Sequence, residues 1–101
     1  MTPLQHIAVD RQTPQPWRNG GGSTRTLFTW PGAARPWLLR ISVADITQDG
    51  PFSAFAGVDR WFAVLQGAGV VLQLPGGSAT QTVHSAPLQF AGDAAPGCQR
   101  I

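Results

Sequence analysis

The sequence predicts an all-β domain of the sandwich, jelly-roll or small-barrel kind. Three observations carry this. The 12 glycines and 9 prolines of the 101-residue chain are spread along its length, cutting it into short segments. The runs between them are rich in Val, Ile, Leu, Thr, Phe and Trp, which suit short strands. No stretch has the apolar spacing of an amphipathic helix. At 43% apolar and 12% charged residues the chain is too hydrophobic to stay disordered, and its length suits one core, a single domain over residues 1–101.

Residues 4–9 alternate loosely through Leu4, Ile7 and Val9, which predicts a short edge strand. Thr13, Pro14, Gln15 and Pro16 then hold the chain extended, because a residue before proline avoids the helical region. Trp17, Arg18, Asn19, Gly20, Gly21 and Gly22 make a loop, and residues 24–30 a strand closed by Pro31 and Gly32. Residues 37–46 form the clearest strand. One face carries Trp37, Leu39, Ile41 and Val43 and is expected to be pure core. The other carries Leu38, Arg40, Ser42, Ala44 and Ile46, an unusual mixture for a face turned to water.

A turn follows at residues 48–51, then an irregular aromatic stretch at 52–57. Residues 60–66 read as a strand, with Gly67, Ala68 and Gly69 as a tight hairpin into a strand at 70–74. Residues 75–78 turn again into a strand at 80–84. A last short strand at 88–90 leads to Ala91, Gly92 and Asp93.

Charge and composition exclude several roles. All seven cations are Arg and none adjoins another, so the net charge of +2 forms no basic patch for nucleic acid. No apolar run approaches the roughly 18 residues of a membrane span. The single cysteine, Cys98, has no partner for an internal disulfide, and the first residues have neither the basic nor the apolar region of a signal peptide. The expected location is the cytoplasm.

A metal site needs three or four converging ligands. His6, His84, Cys98 and five scattered Asp residues show no ligand-pair spacing, so neither a metal nor another cofactor is expected. Ser42, Ser53 and Cys98 lack the neighbours of an activated nucleophile. Gly20, Gly21, Gly22, Ser23 and Thr24 lack the Lys and the following helix of a phosphate loop.

Two features remain. Three consecutive glycines leave backbone N–H groups open to an anion, with Asn19 as a further polar group and Trp17 as a flat wall; the plainer alternative is a turn with Trp17 packed on the core. Arg40, on the mixed face, suits a bidentate contact to a carboxylate. The alternatives for it are a wet sheet face or a structural pair with Asp45 or Asp59.

Taken together, these motifs resemble the HutD/Ves family of bacterial cupins. Trp17 to Arg25 is similar to that family's W-[RK]-N-G-G-G-x-T-R opening, and Leu39 to Ala44 to its R-x-S-x-A strand. Residues 50–60, with Val64, Leu65 and Gly67, are similar to its G-P-F-S-x-F-x-G-x-x-R and L-x-G block. Phe90, Ala91, Gly92 and Asp93 match its F-x-G-D. The resemblance implies a cupin-like double-stranded β-helix, a jelly-roll barrel equivalent to about the first half of a bicupin. Where cupins place metal ligands, this chain has Ser53, Phe55 and Arg60, which agrees with a metal-free site.

By that resemblance the expected function is binding of a small carboxylate in histidine utilisation, such as urocanate, formylglutamate or formiminoglutamate. The ligand-binding residues would be Trp17, Arg18, Asn19, Gly20, Gly21, Gly22, Arg40, Ser42, Ser53 and Arg60. A metal-free enzyme is the alternative, with His84, Asp59 or Asp45 as acid or base, or a stress-related protein like the Ves relatives. Two departures stand out. Thr26 occupies a position where relatives often carry Glu, and Ile101 falls before a D-F-N-[LI]-M motif in relatives nearly twice as long. The expectations from that length are a truncated half without function, a fragment, or a half that forms a homodimer.

Overall fold

The computed structural model describes residues 5–32 and 36–101, so Leu4 and Arg35 lie outside the described residues. The fold is all-β, as the sequence predicts. Among the described residues nine strands pair, every pairing is antiparallel, and the helix is one 3-10 turn at Val9–Arg11. No helix among them is long and apolar enough to cross a membrane.

The chain divides into two units, Met1–Thr47 and Gln48–Ile101. In the first, β1 (Gln15–Pro16), β2 (Gly22–Trp30) and β3 (Leu39–Ile46) form a sheet in that order. Of the edge strand expected over residues 4–9, the described residues 5–9 form none: residues 5–8 are irregular and Val9–Arg11 coils, since Ile7 and Val9 give a single step of apolar alternation. The pure core expected for Leu39 and Ile41 is also corrected: they are 48% and 47% exposed. Alternation states which side chains share a face; the cover comes from whatever packs on it, which alternation does not contain.

In the second unit, β4 (Gly50–Pro51), β9 (Gly97–Arg100), β6 (Val70–Leu74) and β7 (Gly77–Gln81) form one sheet in that order. A separate ribbon pairs β5 (Asp59–Phe62) with β8 (Leu88–Ala91). Phe52, Val70, Leu72, Phe90, Pro96 and Cys98 are among the buried side chains of this unit.

The hairpin expected at Gly67, Ala68 and Gly69 does not form. The strand before it stops at Phe62 and pairs with β8, while β6 pairs with β7 and β9. Gly69, at φ +115°, lies against the Gln81 carbonyl, too close for a Cβ, and its own carbonyl accepts from Ile101 N–H at 3.0 Å. The glycines thus steer the chain to β7 and β9 and away from β5. The strand expected at 80–84 ends at Gln81, because Thr82 and Ser85 close a turn: Thr82 N–H donates to Ser85 Oγ and Ser85 N–H to the Thr82 carbonyl.

Candidate functional site

The β2–β3 register decides which side chains share the Arg40 face. Thr24 lies opposite Ala44, Thr26 opposite Ser42 and Thr29 opposite Arg40. Directly opposed residues of an antiparallel pair share a face. Thr26 and Thr29 are three apart and would face opposite ways in a regular strand. A register shift between Thr26 and Phe28 resets the alternation. One face therefore collects Thr24, Thr26, Thr29, Arg40 and Ser42, and the other pairs Phe28 with Ile41 and Trp30 with Leu39. Strict alternation through residues 24–30 misses this, because it groups Thr24 and Thr26 with Phe28 and Trp30.

Arg40 is half-buried, and its Nη2 donates to Thr26 Oγ1 over a long 3.4 Å. Thr26 is the position where the resemblance marks a departure, so Arg40 meets a neutral hydroxyl there. The structural pair between Arg40 and Asp45 is ruled out by the register. Asp45 shares its face with Val43 and with Arg25, whose Nη1 reaches Asp45 Oδ2 at 2.8 Å. A second bond from Arg25 Nε to the Gln12 carbonyl, 3.2 Å, anchors that pair. Asp45 is therefore also corrected as an acid or base on the Arg40 face.

The glycine loop is closed by its own bonds. Trp17 N–H donates to the Gly22 carbonyl at 2.9 Å, Gly20 N–H to the Trp17 carbonyl at 3.1 Å, and Thr47 N–H to the Gly21 carbonyl at 2.9 Å. Gly21 N–H donates to Asn19 Oδ1 at 2.8 Å. The amides of Gly20 and Gly21, which the sequence offered to an anion, are thus spent inside the loop. The glycines serve shape instead. Gly20 has φ +74°, and a Cβ on Gly22 would run into the Asp45 carbonyl. The loop delivers Trp17, whose Nε1 donates to Thr24 Oγ1 at 2.7 Å, while Arg18 is exposed.

Ser53 and Arg60 belong to the second unit. Arg60 Nη1 donates to the Ser53 carbonyl, not its hydroxyl, at 2.9 Å. The guanidinium carbon lies 5.2 Å from the Phe55 and Phe90 ring centres and 5.7 Å from that of Phe52. The following F-x-G-D block ties down the same loop: Phe55 N–H donates to the Gly92 carbonyl, Gly92 N–H to the Val58 carbonyl, both at 2.6 Å, and Gly57 N–H to Asp93 Oδ1 at 2.8 Å. A side chain on Gly92 would strike the Phe55 and Val58 carbonyls. These two blocks hold each other together.

Asp59 is exposed on β5, and His84 is exposed in the 82–85 turn with its N–H donating to Thr82 Oγ1 at 3.2 Å. Burial, and then the Asp49 carboxylate, push the Cys98 thiol above its ordinary value, which favours the neutral thiol over the thiolate. Among the described residues no three His, Cys, Asp or Glu side chains converge as a metal site would require.

Comparison with known proteins places these features in a family. The HutD family model matches residues 9–101. Protein Ves of Citrobacter koseri is 33% identical over 90 residues, 89% of this chain and 47% of Ves. An uncharacterised 21.2 kDa protein in the hutC 3′ region of Pseudomonas putida is 33% identical over 102 residues, covering 100% of this chain and 54% of that protein. The chain spans about half the length of the curated relatives it matches. The structure of HutD from Pseudomonas fluorescens SBW25 superposes with a TM-score of 0.85 at 36% identity, over 94% of this chain and 52% of that one. A conserved protein of unknown function from Pseudomonas aeruginosa PAO1 gives 0.85 at 31%, over 94% and 50%. The family match begins at the 3-10 turn and runs through all nine strands to Ile101, and the chain belongs to the HutD family.

Proposed function

We propose that the chain binds a small carboxylate without a metal, on the Arg40 face of the first unit, and serves histidine utilisation. The observation that carries this reading is the setting of Arg40. Its guanidinium lies half-buried beside Thr26, while Asp45, the acid of the same strand, is engaged by Arg25 on the opposite face. A carboxylate supplied by a ligand suits such a fork, since charge-assisted bonds are the stronger ones. Ser42, exposed and opposite Thr26, adds a hydroxyl, and Trp17 adds a wall.

Metal independence is supported by the sequence, where the usual cupin ligand positions hold Ser53, Phe55 and Arg60. The tie to histidine utilisation is supported by membership of the HutD family and by the Pseudomonas putida relative in the hutC 3′ region. Calorimetric titration with urocanate and with formylglutamate tests it. At least one should bind, and Arg40→Ala should weaken it about ten- to a hundredfold, the worth of a hydrogen bond to a charged group. Absence of heat from both ligands would remove this function.

A further inference from the structure

We infer that the outer face of the β5–β8 ribbon, built from Asp59, Trp61 and Gln89, docks an arginine side chain presented by a protein partner. The register makes this face. Asp59 lies opposite Ala91 and Trp61 opposite Gln89, while Arg60 lies opposite Phe90 and Phe62 opposite Leu88. Directly opposed residues point the same way, and their neighbours along each strand point the other. Arg60, Phe62 and Phe90 turn inward, where the Phe62 ring lies 5.7 Å from that of Phe52 and Arg60 packs against three rings. Asp59, Trp61, Gln89 and Ala91 are left outside, all of them exposed, Trp61 by 68%.

An exposed apolar side chain by itself needs no explanation. What singles out Trp61 is its company. Of the second unit's three aspartates, Asp49 accepts the Arg100 N–H at 2.7 Å and Asp93 the Gly57 N–H at 2.8 Å. The Asp59 carboxylate has no hydrogen bond or ion pair among the described residues, and the Trp61 indole and Gln89 amide have none either. Asp59 stands two residues from Trp61, about 7 Å along the strand, and Gln89 about 5 Å across the ladder. Of these four outward residues Asp59 alone is charged, so the face offers a free carboxylate beside an electron-rich ring. An anion is repelled there, a neutral group gains the ring alone, and a cation gains both. Among cations a guanidinium fits best, because it stacks flat on indole while its fork reaches a carboxylate. Gln89 Oε1 is an acceptor for one of its remaining N–H groups. Arg60 already makes this kind of pairing on the inner face, packed on rings and donating to the Ser53 carbonyl. A two-stranded face encloses no small molecule, and each such contact is weak where water competes. The arginine is therefore one held in place by the rest of a protein surface.

Hexa-arginine, hexa-lysine and hexa-citrulline peptides test this on the full chain, read by affinity and by the Trp61 indole N–H signal in NMR. The chain's net charge of +2 gives no general attraction for a polycation, so binding reports a local site. At low salt hexa-arginine should move the Trp61 signal, bind at least about twofold more tightly than hexa-lysine, and exceed neutral hexa-citrulline by more. Trp61→Ala and Asp59→Asn should each weaken hexa-arginine about two- to fivefold, and Trp61→Phe, which keeps a ring, should weaken it less than Trp61→Ala. Asp10→Asn, which removes an exposed acid outside the ribbon, should change nothing. A Trp61 signal that hexa-arginine leaves in place, an affinity that either ribbon substitution leaves unchanged, or equal weakening by Asp10→Asn overturns the inference. So does a dimer in native mass spectrometry that Trp61→Ala dissociates, which gives the face to a second copy of the chain.

Discussion

The Gln48–Ile101 unit buries Phe52, Val70, Leu72, Phe90 and Cys98 to 9% exposure or less, although it leaves Trp61 and Leu65 exposed. In the Met1–Thr47 unit no large apolar side chain among the described residues is buried, and Trp30, Leu39 and Ile41 are about half exposed. Both are built from antiparallel strands of similar composition. They differ in how they use their arginines. Arg60 is packed among three phenylalanine rings and bonded to a backbone carbonyl, which ties a loop to a strand. Arg40 sits on a strand ladder and bonds the Thr26 hydroxyl. An arginine set in aromatic rings and bonded to a backbone carbonyl stabilises its surroundings.

The contrast breaks first, if it breaks, at the cores. Leu72→Ala removes a fully buried side chain and should cost about 2–5 kcal/mol in urea denaturation, whereas Ile41→Ala should cost under about 1 kcal/mol. A loss at Ile41 equal to that at Leu72 would mean that the first unit's apolar face is covered in solution.

Arg60→Ala comes next, at about 1–3 kcal/mol, because the ring contacts and the Ser53 carbonyl bond go together. Substitution by Lys should recover part of it, since an ammonium keeps the charge over the rings but not the planar fork. The smallest effect belongs to Arg25→Ala in the first unit, less than about 1 kcal/mol and diminishing in high salt. Its partner Asp45 is 63% exposed, and exposed pairs contribute little. If Arg25 matched Arg60 in cost and resisted salt, the ladder would be held by its ion pair and the two units would be alike.

Much of this was legible before any coordinate. Residues 24–30 and 37–46 read as strands because β-branched and aromatic residues fill them between glycine and proline, and they pair as β2 and β3, the second from Leu39 onward. The mixed character of the Arg40 face was visible from period two. What the residues did not disclose is where that period breaks. The shift between Thr26 and Phe28 has no composition signal of its own, yet it places Thr29 beside Arg40's strand position and turns Phe28 away. Likewise the three glycines leave open whether their amides face an anion or close a turn, because nothing local says that Asn19 and the Trp17 carbonyl take two of those protons.

The sequence by itself determined the all-β class, the loop at Trp17 to Gly22, of which Gly22 opens β2, and the four blocks that mark the family. Those depend on local preferences: which residues permit positive φ, which suit an extended backbone, which stop a strand. Tertiary structure alone decided that Asp45 serves Arg25 and not Arg40, that β5 pairs with β8 and not with β6, and that Gly92 is required because two carbonyls from residues far back in the chain press on it. Each of these is a choice of partner at long sequence separation. The free energy of such a choice resides in register and contact, which no single stretch of residues contains.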